Sequence, residues 1–333
     1  MVGHKWTRRQ LLRTGGATLA AGAVSRTIAG QANTGVPDSP RFNLQGAGGN
    51  PVKQKSLHAN WVMQSFAYDN VNQHLYFLQH NTTNTDPANL GDLWVTRTDT
   101  AGNELGAMAL HGFGHGVSLA VEPYQGQVYL WTEWQVRDSG FGDKIGRFRF
   151  VDGATLEASS ASIQDRTPRI LGAVTDPQPV PLPQPIIDPQ NDRYLVRYKL
   201  AADTTRIVAF PLSDAREGRL TTDYWLVDRA LPSRGALESE RPFQGFTAYG
   251  RYAYLLEGST ESGAFLTTID LNGAGDDTVE NQWQTGAGAS LPGREPEGMA
   301  IWLTASGPRL AFGFHSNDGG VRQATVYYKS TFV

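Results

Sequence analysis

The 333-residue chain has no cysteine. That excludes disulfides, thiolate zinc sites, iron–sulfur ligation, cysteine nucleophiles and a lipidated cysteine anchor. It also has no GxSxG elbow, phosphate-cradling loop or dinucleotide fingerprint. No cofactor is therefore expected. Methionine is scarce, at 4 residues, whereas Trp, Tyr and Phe number 8, 12 and 14. With 37 Gly and 18 Pro, this composition points to many turns and half-buried strands rather than long helices.

Acidic residues are missing from the first 32 positions, which hold five of the 29 basic residues (Lys5, Arg8, Arg9, Arg13 and Arg26). The remaining chain has 24 basic and 32 acidic residues, a formal charge of −8. An acidic body argues against nucleic-acid binding through phosphate neutralisation. Thr7-Arg8-Arg9-Gln10-Leu11-Leu12 precedes the weakly apolar run GGATLAAGAV (15–24), and Gly30-Gln31-Ala32 offers a cleavage site. Residues 1–32 thus read as a twin-arginine export signal, the plainer alternative being a basic disordered tail. The apolar run is about ten residues, against roughly 20 for a bilayer span, so no membrane span is expected. The mature protein is expected to be secreted and monomeric.

One pattern recurs five times: QSFAYDNVNQHLYFLQH from Gln64, HGVSLAVEPYQGQVYLWTE from His115, QPIIDPQNDRYLVRY from Gln184, QGFTAYGRYAYLLEG from Gln244 and EGMAIWLTASGPRLAFGFH from Glu297. Each begins with a polar residue, usually followed by a small one, then an alternating strand, a turn and an aromatic-rich strand. The starts lie 51, 69, 60 and 53 residues apart. Third strands recur at LWVTRT (93–98), IGRFRF (145–150), RIVAF (206–210), FLTTID (265–270) and ATVYY (324–328). Three strands and a fainter fourth per unit make an all-β, five-bladed β-propeller over residues 58–333. A β-sandwich would not require the recurring hairpin. Residues 33–57 read as a lead-in that can supply a closing strand to the last blade, and TDPQPVPLPQP (175–185) reads as an extended connector.

In a propeller the first strand of each blade lies nearest the axis, so Gln64, His115, Gln184, Gln244 and Glu297 should converge at one mouth of the channel. The second strands return Gln79, His80, Glu133, Arg197, Glu257 and His315 to the same end. Such a ring is a ligand site or a water-filled polar lining. Two local features favour a ligand: HGFGHG (His111 to Gly116), and GREPEG, which places Arg294 and Glu295 just before Glu297. Glycines let a backbone approach closely, and His and Arg donate to hydroxyls, carboxylates or phosphates. His111 and His115 alone make a weak metal motif, and no metal site is expected. DLNGAGDD (270–277) reads as a turn rather than a calcium loop. Among Trp61, Trp94, Trp131, Trp134, Trp225, Trp283 and Trp302, most are expected in the core, with Trp134 the one expected to be exposed for sugar stacking.

Through QSFAYD…LYFLQ, GDLWVTR, GFGHGVSLAVEP…YLWTE, FQGFTAYG and REPEGMAIW, the chain resembles a propeller family. The family is shared by receptor-binding proteins of phages of Gram-positive bacteria and by teichoic acid biosynthesis protein C, with helveticin-like bacteriocins as more distant relatives. The resemblance spans roughly residues 58–333. It implies a five-bladed propeller acting at cell-wall glycopolymers, and it establishes no catalytic activity. The export signal and the lack of appended tail domains set the chain apart from phage members, so virion attachment is not expected.

Three classes of function follow: a binder, an enzyme, either hydrolase or lyase, and a protein scaffold. A secreted binder would grip an extracellular polysaccharide or wall glycopolymer through Gln64, His115, Gln184, Gln244, Arg294, Glu297, Arg197, His315 and Trp134. A glycoside hydrolase would need two carboxylates among Glu133, Glu257, Glu295 and Glu297. A polysaccharide lyase would use His115 or His111 as base, with Arg294 or Arg197 on a uronate. A protein scaffold would use blade edges and need a large exposed apolar patch.

Overall fold

The computed structural model describes residues 35–81, 90–201, 204–232, 240–274 and 278–333. The export signal proposed for residues 1–32 and the end of DLNGAGDD lie outside them. After β1 (Gly48–Lys55), the first blade consists of β2 (Met63–Asp69), β3 (His74–His80), β4 (Leu93–Asp99) and β5 (Glu104–His111). The second contains β6 (Leu119–Tyr124), β7 (Gln127–Val136) and β8 (Gly142–Arg149). Next, β9 (Thr155–Glu157) pairs in parallel with β5, and β10 (Gln164–Asp165) completes blade 2 on β8.

The hairpin β11 (Arg169–Ala173) and β12 (Asp176–Pro179) precedes blade 3. Part of the expected proline-rich connector is therefore a paired strand. Here β12 has only β11 as neighbour, and a two-stranded ribbon tolerates proline because one side of each strand is unpaired. Blade 3 is β13 (Gln184–Asp188), β14 (Arg193–Ala201), β15 (Thr204–Pro211) and β16 (Val227–Ala230), with α1 (Leu212–Arg216) after β15. Blade 4 is β17 (Phe243–Tyr249), β18 (Tyr252–Ser259), β19 (Gly263–Asp270) and β20 (Val279–Thr285). Blade 5 takes β21 (Glu295–Thr304), β22 (Gly307–Asp318) and β23 (Val321–Lys329) from the C-terminus and its outermost strand, β1, from the N-terminus. No helix among the described residues is long and apolar enough to cross a membrane.

The alternation seen in the sequence buries both faces of each sheet. In β18, Ala253 and Leu255 pack with Ile186, Leu195 and Ile207 of blade 3. The intervening Tyr254 and Leu256 pack with Met299, Ile301 and Phe312 of blade 5. Five apolar clusters of this kind fill the five seams between blades. A fully buried large side chain contributes roughly 1.5–3 kcal/mol relative to exposure. The β2–β3 and β13–β14 turns share a device: Asp69 accepts from the Val71 and Asn72 amides, and Asp188 accepts from the Gln190 amide and the Asn191 side chain.

Small residues let the inner strands approach at the axis. A Cβ on Gly245 would lie 2.8 Å from the Gly298 Cα, and one on Gly298 2.8 Å from the Ser65 Cα. The Ser65 hydroxyl donates to the Gly116 carbonyl at 2.7 Å, and Ser118 donates to the Pro185 carbonyl. This packing can be separated from backbone strain, because Gly126 (φ +74°) has nothing within 4 Å of a would-be Cβ while Gly298 (φ +78°) faces blade 1. Gly126→Ala is expected to cost about 1 kcal/mol for the left-handed backbone alone. Gly298→Ala is expected to cost about 2–4 kcal/mol because overlap is added. Urea unfolding of both variants measures the difference; equal losses would mean the axis is not closely packed.

Candidate functional site

The five repeat starts lie at one end of the axis, each next to one of the small residues just described. Gln64, Gln244 and Glu297 sit where the pairing of the first and second strands of their blades slips, between Met63 and Ser65, Phe243 and Gly245, and Pro296 and Met299. Such bulges re-aim a side chain. The side chains turn into the protein: Gln64, His115, Gln184, Gln244 and Glu297 are all 9% exposed or less. Gln244 Nε2 donates to the Gly258 carbonyl of its own blade at 2.8 Å, whereas Gln244 Oε1 and Gln64 Oε1 are buried without a partner. The starts do not line an open polar channel. The cavity between the inner strands has about 310 Å³ of empty space, open solvent included, and lies towards their other ends against Ala67, Leu119, Val121, Ile186, Met299 and Ile301.

Each remaining candidate has a definite place. Arg197 Nη1 donates to Gln184 Oε1 at 2.7 Å, and the two are paired across β13 and β14. His115 is wedged between the His80 ring, 4.5 Å away, and the Phe141 ring, 4.9 Å away. Glu133 accepts from the Gly116 and Val117 amides at 2.5 and 3.1 Å and from the Gly142 amide at 2.6 Å. It ties down the loop carrying His115, and burial pushes its carboxyl upward despite those donors. Glu257 accepts from the Thr267 hydroxyl at 2.9 Å. Gln79 holds the loop before β2 through the Ala59 and Trp61 carbonyls, at 2.6 and 2.8 Å.

Two expectations need correction. His111 does not join the repeat starts: it ends β5, near the outside of blade 1, where it is half-buried and its Nδ1 lies 2.9 Å from Glu157. The loop 112–118 must cross from the outer strand of one blade to the inner strand of the next, which separates the two histidines despite their spacing in sequence. Trp134 is buried rather than exposed, at 8%, because Nε1 donates to the Ala158 carbonyl at 2.9 Å and the ring joins the seam between blades 1 and 2. Among the described residues no group of three or more His, Asp or Glu is placed to hold a metal.

The accessible chemistry at this end is a rim of arginines laid on rings. Arg294 lies 4.4 Å from the Phe314 ring, Arg322 5.8 Å from Trp61 and Arg241 3.7 Å from Phe265, while the buried Arg197 lies 3.8 Å from Phe243. Arg294, Arg322, Arg241, Trp61 and Phe243 are half-buried and so reach solvent. Sequence reasoning picked out Arg294 and missed Arg241, Arg322 and the place of Trp61. A positional signal was present: Trp61, Arg241 and Arg294 each stand three residues before a repeat start.

His315 supplies a pH test. Its Nε2 accepts from Arg322 Nη1 at 3.2 Å, its Nδ1 is buried without a partner, and burial, reinforced by the Arg322 charge, holds its pKa down at about 4. The unfolded chain takes up a proton near pH 6.5 that the folded chain refuses until about pH 4. Stability present above pH 6.5 is therefore lost as pH falls through this window, by up to about 3 kcal/mol at 1.4 kcal/mol per unit. Urea unfolding at pH 7 and pH 4.5 is expected to show most of this loss in the wild type and not in His315→Gln. An unchanged slope in the variant would assign the loss to other groups.

With the geometry in place, comparison with known proteins is direct. Residues 62–328 match the family model described as the phage 5-bladed beta propeller receptor binding platform domain. A Bacillus subtilis (strain 168) protein named for major teichoic acid biosynthesis, protein C, is 24% identical over 277 residues, 80% of this chain and 59% of the relative. The tail fibre of Staphylococcus aureus phage P68 superposes with a TM-score of 0.68 at 19% identity, over 86% of this chain and 54% of the fibre. The chain thus spans little more than half the length of either. A GH43_1 enzyme of Xanthomonas citri, solved with xylotriose, gives 0.48 at 14% identity, covering 84% of this chain and 92% of the enzyme. The matched region takes in all five repeats, and the chain belongs to the family of phage five-bladed β-propeller receptor-binding platform domains.

Proposed function

We propose that the chain is exported through its twin-arginine segment and binds an anionic extracellular glycopolymer, of the wall teichoic acid kind, at the repeat-start end of the propeller. The observation that carries this reading is the rim of three half-buried arginines on rings, Arg241, Arg294 and Arg322, spread over blades 1, 4 and 5. A guanidinium matches phosphate or carboxylate oxygens, and the half-buried Trp61 and Phe243 rings offer a flat face to a sugar or polyol, whereas Phe265 and Phe314 are buried supports for their arginines. Repetition around an axis suits a polymer, since several weak contacts made together multiply. The buried repeat starts act as the layer that positions this rim, and direct contact falls to Arg294, Arg241, Arg322 and Trp61. Family membership and the names of the two relatives fit such a ligand.

The hydrolase alternative has less support. Of its four candidate carboxylates, Glu133, Glu257 and Glu297 are 3% exposed or less and Glu295 is half-buried, and Glu133 is committed to three amides. Glycoside cleavage needs two carboxyls reaching the scissile bond, with room for water. A lyase base at His115 would likewise have to leave its place between His80 and Phe141.

Mature protein incubated with a panel of teichoic acids and acidic polysaccharides is expected to retain one class without releasing reducing or unsaturated ends. Arg294→Ala and Arg241→Ala should each weaken retention about tenfold, the equivalent of about 1.4 kcal/mol, with melting temperature nearly unchanged. Product formation abolished by His115→Ala would overturn the binder in favour of an enzyme. Export is tested separately: Arg8→Lys with Arg9→Lys should hold the protein in the cytoplasm, and continued secretion would refute the signal.

A further inference from the structure

The opposite end of the propeller has a charge imbalance that the proposed glycopolymer rim leaves unexplained. At the seam between blades 2 and 3, the sheet face that presents Ala120 and Trp131 to the core continues outward as Glu122, Tyr129 and Arg147. Glu122 is buried and serves two cations: Oε2 accepts from Arg147 Nε at 2.8 Å and from Trp131 Nε1 at 2.9 Å, and Oε1 accepts from Arg216 of α1. Arg166 comes in from the chain just after β10. It finds only neutral acceptors, donating to Gln164 Oε1 at 2.9 Å and to the Arg216 and Asp165 carbonyls at 2.6 and 2.7 Å. Arg147 Nη1 shares the same Gln164 oxygen at 2.9 Å.

Three guanidiniums therefore surround one carboxylate. Asp165, whose charge also acts on Arg166, accepts from the Thr167 amide at 2.9 Å and lies 3.8 and 4.0 Å from Arg169 and Lys144. Arg147 Nη2 and Arg166 Nε are buried with no acceptor. Burial and the adjacent Arg147 charge hold Arg166 below the usual guanidinium range, outweighing the pull of Asp165 and Glu122. The cluster is open to solvent at its edge: the Arg216 side chain is 25% exposed, and Arg166, Tyr124 and Tyr129 are half-buried. Arg147 lies 3.6 Å from the Tyr129 ring and Arg216 4.6 Å from Tyr124, so the forks are held in place before any ligand arrives. Nearby, Gly218 leaves space on the Arg166 side, its would-be Cβ meeting only that guanidinium at 3.7–4.0 Å.

We propose that this seam is a second site, which binds a phosphate-class oxyanion between Arg166 and Arg216, independently of the rim at the other end. The excess positive charge, in a body that is otherwise acidic, selects an anion, and fixed planar forks favour tetrahedral oxyanions over halide.

The test measures binding of inorganic pyrophosphate and of glycerophosphoglycerol, a phosphodiester, to the full chain by calorimetry at low ionic strength. At least one probe should bind, and affinity should fall at least tenfold in Arg166→Gln and in Arg216→Gln. Arg149→Gln, an exposed arginine on the same sheet, should leave it unchanged. Preference for the diester would point to a polymer backbone as the source, and preference for pyrophosphate to a free phosphate. No binding of either probe, or binding indifferent to both glutamine variants, overturns the site. If a variant does not fold, phenylglyoxal modification of the wild type decides: pyrophosphate should slow labelling of Arg166 and Arg216 at least fivefold relative to Arg149, and equal rates refute the proposal. Because the seam is read through Arg166 and Arg216 and the rim through Arg294 and Arg241, failure here leaves the glycopolymer reading untouched.

Discussion

The structure depends on one constraint: each blade is a small sheet with apolar side chains on both faces. Ala253 and Leu255 point one way and Tyr254 and Leu256 the other, so no blade can keep both sets from water alone. A sandwich covers one face of each sheet. A ring covers both, provided that the last sheet meets the first. Closure is achieved by exchange of chain ends, as β1 pairs with β23 and supplies Val52 to the seam between blades 5 and 1. The N-terminal segment also straps blade 4, where the Val36 backbone is bonded by Asn272 and the Phe42 amide donates to the Tyr254 hydroxyl.

Closure also sets the character of the two ends. Where the inner strands begin, Ser65, Gly116, Pro185, Gly245 and Gly298 bring backbones nearly into contact. A collar so tight leaves no room for a polar well. Polar residues one position earlier turn into their blades, and the groups left for a ligand lie farther out, on the loops that lead into the strands. At the far ends the strands separate around a cavity of mixed lining that holds no charged side chain, and charged chemistry gathers at a blade seam instead, around Glu122 and its arginines.

Much of this architecture was legible in the chain. Five alternating hairpins at roughly even spacing give the blade count, and the third-strand segments fall on β4, β8, β15, β19 and β23. The short fourth strands were not legible: β10 has two residues and β16 four, too few to carry a period. The site was read less completely. Spacing placed Gln64, Gln244 and Glu297 at one end, but a bulge changes which way a side chain points, and no residue pattern announced those slips. Trp134 looked like a residue beyond a strand end; β7 continues to Val136 and carries the ring into the core.

What the sequence determined by itself is the repeated unit and the need for neighbours, because a period of two written in apolar residues fixes which side chains must leave water. It also excluded thiol chemistry from any site, since cysteine is absent. Tertiary structure alone decided which of those groups remain reachable. Arg241, Phe265, Arg294 and Phe314 come together only when strands distant in the chain lie side by side, and Glu122, Arg147, Arg166 and Arg216 meet only where blade 2 is pressed against blade 3. Exposure is a property of the assembled ring, set by how closely five backbones approach one axis.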